Sequence, residues 1–128
     1  MADRFNMSGD FRGAIINIKS TLTNVQQIVG EIPSTDEAAR QELESLIGQL
    51  SEALQKVPAE KEEDAAAVAE TAKVLVETAK ADKPNKTMLQ ISGEGLKQAA
   101  ENLAAVMPAV VTIAGQIVMA VAKLTGTI

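Results

Sequence analysis

Three short stretches hold side chains whose types and spacing could do chemistry. Glu60-Lys61-Glu62-Glu63-Asp64 sets four carboxylates within five residues, and hard cations take oxygen ligands. The stretch lacks the alternating Asp/Asn ligands and central Gly of an EF-hand loop. A helix start accounts for it, because acidic side chains suit the positive end of a helix dipole. Lys83-Pro84-Asn85-Lys86-Thr87 places a Lys-Thr pair before a helix, as a phosphate-binding loop does. The glycines whose backbone N–H groups would cradle phosphate are absent. Ser8-Gly9-Asp10 beside Arg12 offers a hydroxyl, a carboxylate and a guanidinium, but no base able to activate the hydroxyl.

Composition narrows the field further. The chain has no Cys and no His, so it offers no thiolate, no disulfide, no ordinary zinc site and no imidazole base. The expectation is a non-enzymatic protein with no metal, no cofactor and no small-molecule substrate. Trp and Tyr, the usual rigid anchors of binding hot spots, are missing too, and Phe5 and Phe11 are the only aromatic residues. A partner surface must therefore be aliphatic, charged, or built on those two Phe.

The net charge of −5 argues against a nucleic-acid partner, which needs a basic footprint. Residues 31–70 carry eleven acids against Arg40, Lys56 and Lys61, whereas residues 71–128 carry six Lys against four acids. Such segregation predicts oppositely charged faces that meet within one molecule or between copies.

These residues sit on helices. Ile15, Ile18, Leu22, Val25, Val29 and Ile32 recur at three and four residues, the stripe of an amphipathic helix that Gly30 and Pro33 close. Ile16 and Ile28 flank the stripe and widen its apolar surface. Ser34 and Glu37 fit a capping box opening a second helix with Leu43, Ile47, Leu50, Leu54 and Val57 on its buried face. A third helix runs from the acidic 60–64 stretch toward Lys80, burying the small face Ala65, Val68, Ala72, Leu75, Val76 and Ala79, which permits close approach to a neighbour. Residues 81–86 read as a linker between helical halves. A fourth helix is expected from Thr87 to Met107, with Met88, Ile91, Leu96, Ala99, Leu103 and Val106 inward. Pro108 ends or kinks it, and a fifth helix runs to Leu124.

From Asn102 through Ala122 no side chain is charged. Ala104 to Ala122 would span about 28 Å as a helix, close to a hydrocarbon core of about 30 Å. Pro108, Thr112, Gly115 and Gln116 interrupt it, and no Trp or Tyr belt flanks it. The segment reads as the helix that the other stripes enclose, with burial by a second copy and membrane insertion as the competing readings. At the other end, residues 1–12 read as an N-terminal arm or short hairpin, or else as the first turns of helix one capped at Asp10. The opening MADRFNMSGDFRG has no apolar core of a secretory signal, so the expected compartment is the cytoplasm.

Two blocks carry a family resemblance. Gly9-Asp10-Phe11-Arg12-Gly13-Ala14-Ile15-Ile16-Asn17-Ile18-Lys19-Ser20-Thr21-Leu22 is the first. Lys83-Pro84-Asn85-Lys86-Thr87-Met88, followed by Glu94-Gly95-Leu96-Lys97 and Ala99-Ala100-Glu101-Asn102, is the second. Together they resemble a family of bacterial, often cyanobacterial, helical domains of unassigned activity. That resemblance implies a bacterial interaction domain and supplies no catalytic residue.

The expected fold is thus a single all-α domain over residues 1–128, an antiparallel bundle of four to five helices. The expected function is self-association or contact with a protein partner through aliphatic helix faces, with Phe5, Phe11, Arg12, Ile16, Ile28, Lys80, Lys83 and Lys86 as contact residues. In that reading the acidic 36–64 region meets Lys80–Lys86 and sets the register. The alternative is a membrane-active effector that inserts residues 96–122.

Overall fold

The computed structural model describes residues 2–34, 36–81 and 83–126, with side chains from Ile15 onward. It holds five α-helices and, among the described residues, no strand: α1 Ala2–Val29, α2 Glu37–Leu54, α3 Glu62–Ala79, α4 Lys86–Glu101 and α5 Pro108–Thr125, with a 3-10 turn at Ala59–Lys61 before α3. Consecutive helices run antiparallel because their connections are too short for anything else.

The helices form a ring of staves in the order α1, α2, α5, α4, α3 and back to α1. Alternating directions cannot close around an odd number of staves. The pair left parallel is α1 and α3, whose C-terminal ends meet where Lys80 Nζ lies 3.7 Å from Glu31 Oε1. The interior is aliphatic: Leu22 and Val25 of α1, Leu43, Ile47 and Leu50 of α2, Leu75 of α3, Leu96 of α4 and Ile117 of α5 are all inaccessible to solvent or nearly so. Each such side chain contributes about 1.5–3 kcal/mol by leaving water. The small face expected on α3 is buried in full, with Ala69 added.

Helix ends differ from the sequence reading in three places. The cap of α2 is Asp36, not Ser34: Ala39 N–H donates to Asp36 Oδ1 at 3.0 Å, while Ser34 Oγ accepts from the Asp36 N–H at 3.1 Å. Glu37 is thereby the first helical residue, where it pairs with Arg40. Helix α4 begins one residue early, capped by Asn85 Oδ1 accepting from Met88 N–H at 3.1 Å, and stops at Glu101 rather than Met107. Residues 102–106 are a turn, and Met107 leaves the helical region (φ −142°, ψ 67°) because the ring of Pro108 disfavours a helical predecessor. Pro108 then serves as the first residue of α5, a position that lacks a partner for an N–H in any helix.

The N-terminal segment is the third difference. Its backbone is helical from Ala2, continuous with α1, so neither hairpin nor extended arm is adopted and Asp10 lies within the helix rather than capping it. Two contacts set the register of α1 against its neighbours. Gln26 Nε2 donates to the Glu44 carbonyl and packs at Gly48, which sets residue 26 beside residues 44–48 of antiparallel α2. Lys80–Glu31 sets α3 in parallel register. At 28 residues α1 is ten residues longer than α2 and α3, which have 18 each.

Candidate interaction surface

α4 and α5 form the loosest seam of the ring, and the sequence explains where it opens. At Gly93 the helices touch: a Cβ built there would stand 3.3 Å from Val118 Cγ1, so a side chain at this point would hold the helices apart. Toward the N-terminus of α4 the glycine contact ends and a crevice of about 300 Å³ opens. Val118, Val121 and Ala122 of α5 and Leu89 of α4 line it, Leu75 of α3 closes its floor, and Lys86 and Gln90 stand on its α4 side. Its walls are aliphatic and its rim carries one cation, so it suits an apolar side chain attached to a polar or acidic segment.

The crevice adjoins the outer face of α5. Val110, Ile113, Ala114, Ile117, Ala120, Val121 and Leu124 form that helix's buried stripe, against α2 and α4. The other residues of the helix are half-buried or exposed. The helix is therefore a stave with one face outside, not the enclosed central helix expected from its sequence. Val111, Gly115, Val118 and Ala122 are half-buried, and the outward face is Pro108, Ala109, Thr112, Gln116, Met119 and Lys123, with Met119 at 53% its one large apolar side chain. Lys123 is the only charge on α5, with its Nζ 4.0 Å from Glu42 Oε2 of α2.

A second aliphatic patch lies on the α3–α4 seam. Gly95 meets Thr71 Cγ2 at 3.9 Å, which sets residue 71 beside 95 and hence Val74 beside Ile91 and Ser92. Val74, Met88 and Ile91 are exposed there, Ile91 at 58%. This corrects the inward assignment of Met88 and Ile91, and Val106, in the turn after α4, is likewise exposed. The residues that α4 does bury are Leu89, Ser92, Gly93, Leu96, Ala99 and Ala100. The pattern was misread because Gly93 and Ser92, rather than large aliphatics, mark the inner face.

The contact residues named from sequence are scattered. Ile16 is exposed at 62%, whereas Ile28 is half-buried against the core. Lys80, Lys83 and Lys86 lie together at the end of the bundle that also holds the mouth of the crevice. Lys80 is engaged with Glu31, which lies outside the acidic 36–64 region. Glu42 of that region pairs instead with Lys123 of α5, and Glu37 and Asp64 pair locally with Arg40 and Lys61. The stretch 60–64 lies at the opposite end of the bundle, where Lys61 Nζ is 3.6 Å from Asp64 Oδ2. Phe5, Phe11 and Arg12 fall in the first turns of α1, and their side chains lie outside the described residues.

One polar residue escaped the sequence reading. Arg40 Nη2 donates to the carbonyls of Ile32 (2.6 Å) and Ser34 (2.7 Å), and Nη1 bonds Glu37. The guanidinium thus holds the turn between α1 and α2 in place. A lone Arg three residues after Glu37 gave no sign of it, because its acceptors are carbonyls that any residue supplies. No protein-family model, curated protein or solved structure matches the chain.

Proposed function

We propose that the protein is an assembly module, a helical bundle that covers its surplus aliphatic surface with a second copy of itself. The observation that carries this reading is the aliphatic surface left exposed: Met119 on α5, Val74, Met88 and Ile91 along the α3–α4 seam, and Ile16 and Val106 elsewhere. Exposed aliphatic surface rimmed by polar residues marks a contact site. With no Trp or Tyr to anchor a hot spot, contact of this kind rests on aliphatic area and charge. The reading is non-enzymatic, and it takes no cofactor.

Sedimentation velocity and light scattering across a micromolar concentration series test it. Mass that rises with concentration in the native chain, and falls to one chain in Thr112→Lys/Met119→Lys, is expected. A native chain that stays monomeric at high micromolar concentration overturns it.

A membrane-active state is the second reading. It is favoured by α5 being, among the described residues, the one helix long and apolar enough to cross a bilayer. Against it stands the buried stripe: withdrawing α5 would expose Val110, Ile113, Ile117, Val121 and Leu124 together with their partners on α2, at a cost on the order of 10 kcal/mol. Flotation with neutral and anionic vesicles separates the two, since the assembly reading expects the chain to stay at the bottom of the gradient.

A further inference from the structure

We propose that the α3–α4 seam is a docking groove for a basic amphipathic helix of another protein. This contact is separate from self-association, which is tested on α5. The floor of the groove is the exposed strip of Val74 on α3 and Met88 and Ile91 on α4. Thr71 and Thr78 continue the strip along α3, and each uses its hydroxyl within its own helix. Thr71 Oγ1 donates to the Ala67 carbonyl and Thr78 Oγ1 to the Val74 carbonyl, both at 2.8 Å. Covering the strip therefore strands no hydroxyl donor. Gly95 faces Thr71 across the seam and adds no side chain to fill the groove. A helix laid in such a groove anchors through apolar residues three and four apart. Met88 suits the site, because a flexible thioether repacks around different side chains.

Charge identifies the occupant. Thr71 marks the side of α3 that faces α4, and Gly95 the side of α4 that faces α3. At about 100° per residue, Glu63, Glu70 and Glu77 fall on the other side of Val74, away from α4. Glu94 and Glu101 likewise fall on the side of Ile91 away from α3. All five glutamates are exposed, and none is ion-paired among the described residues. The apolar strip thus runs between two acidic rows.

The cations nearby do not cancel those rows. Lys73 and Lys97 stand behind them and ion-pair with neither. Lys80 is held by Glu31, Lys86 lines the α4–α5 crevice, and Lys83 stands at the end of the strip where α3 passes into α4. At the other end Asp64 is held by Lys61. An apolar helix stripe with Lys or Arg on both flanks complements this surface. A second copy of the strip does not, since it sets five carboxylates against five, and like charges brought together are costly.

A fluorescein-labelled peptide of about 18 residues, five helical turns, is the probe. It carries Leu at three- and four-residue spacing with Lys on both flanks, and anisotropy follows its titration with the full-length protein. Saturable binding that weakens with salt is expected. A scrambled peptide, which keeps the charge and loses the stripe, is expected to bind about tenfold more weakly. Val74→Ser/Ile91→Ser is expected to cost about tenfold as well; Met88→Ser replaces it should its circular-dichroism melt be lost. Glu77→Gln/Glu94→Gln, one from each row, is expected to cost about fivefold. Glu44→Gln/Glu52→Gln on α2, with the same change in net charge, is expected to cost less than about twofold. A scrambled peptide that binds as tightly, an α2 variant that loses as much as the row variant, or a serine variant that binds like the native chain overturns the groove. So does a native chain whose self-association is lost in Val74→Ser/Ile91→Ser, because the occupant is then a second copy.

Discussion

Gly93 and Val118 touch across the α4–α5 seam so closely that a Cβ at Gly93 would lie 3.3 Å from Val118 Cγ1. This contact decides where the seam is shut and where it opens into the crevice. Alanine at 93 gains about 1 kcal/mol of helix propensity, and Val118 can give way by a few tenths of an ångström because the crevice lies directly beside it. Gly93→Ala is therefore expected to raise the melting temperature by about 3–5 °C. Gly93→Leu is expected to lower it by more, since a large side chain wedges the helices apart. A thermal melt followed by circular dichroism reads both, and a lower melting temperature for Gly93→Ala would show that Val118 is held fast.

Arg40 supports the α1–α2 turn through two carbonyls, and its side chain is only 13% exposed. Removing it strands acceptors that a charged donor satisfied, which costs about 1.5–3 kcal/mol. Arg40→Ala should lose that much in urea unfolding. Arg40→Lys should recover less than half, because an ammonium cannot reach both carbonyls as a planar fork does. Full recovery by Lys would assign the effect to charge alone.

Ala72 is fully buried on the small face of α3, and Ala67, five residues earlier, is exposed. Enlarging Ala72 forces α3 away from its neighbours, so Ala72→Leu is expected to destabilise by about 1–3 kcal/mol. Ala67→Leu should change stability by less than about 0.5 kcal/mol. Equal effects in chemical denaturation would contradict the close approach attributed to this face.

On α5, Ile117 is inaccessible and Met119, two residues on, is exposed. Ile117→Lys buries an unpaired ammonium and should abolish the cooperative melt. Met119→Lys should leave the melt of the monomer unchanged. This contrast checks the stripe independently of any assembly, and a large loss for Met119→Lys would mean that its face is covered within the molecule.

The pair Lys123–Glu42 joins α5 to α2 at the surface, with both side chains about half exposed. Exposed pairs of this kind contribute about 0–1 kcal/mol. Lys123→Gln should therefore shift the urea midpoint only slightly, and the shift should vanish at high salt. A large shift that persists in salt would place the pair in a drier setting.

How much of this was legible in the chain depends on which force acts. The stripes of α1, α2 and α3 repeat every three to four residues, and the periodicity that the hydrophobic effect imposes on a two-faced helix could be read directly, position by position. The fold class and the absence of Cys and His followed from the chain alone. For α4 the rule failed, because its inner face is marked by Gly93 and Ser92, and small residues look neutral until a neighbour is seen to approach. For α5 the signal was faint: Thr112, Gln116 and Lys123 mark its outer face at helical spacing, but a run without charge from 102 to 122 reads first as a helix enclosed on every side.

What only the tertiary structure decided is the arrangement of the ring. Five staves with one unavoidable parallel pair put α5 on the rim, between α2 and α4, and leave one face of it exposed. Local sequence sets where a helix begins and which of its residues are apolar. It does not set which helices remain to cover them, because that depends on contacts between segments far apart in the chain. The charge-free run of 102–122 is the clearest case. Its composition was plain from the start, but its place on the rim, beside a crevice that opens where Gly93 stops holding Val118, is a property of the fold.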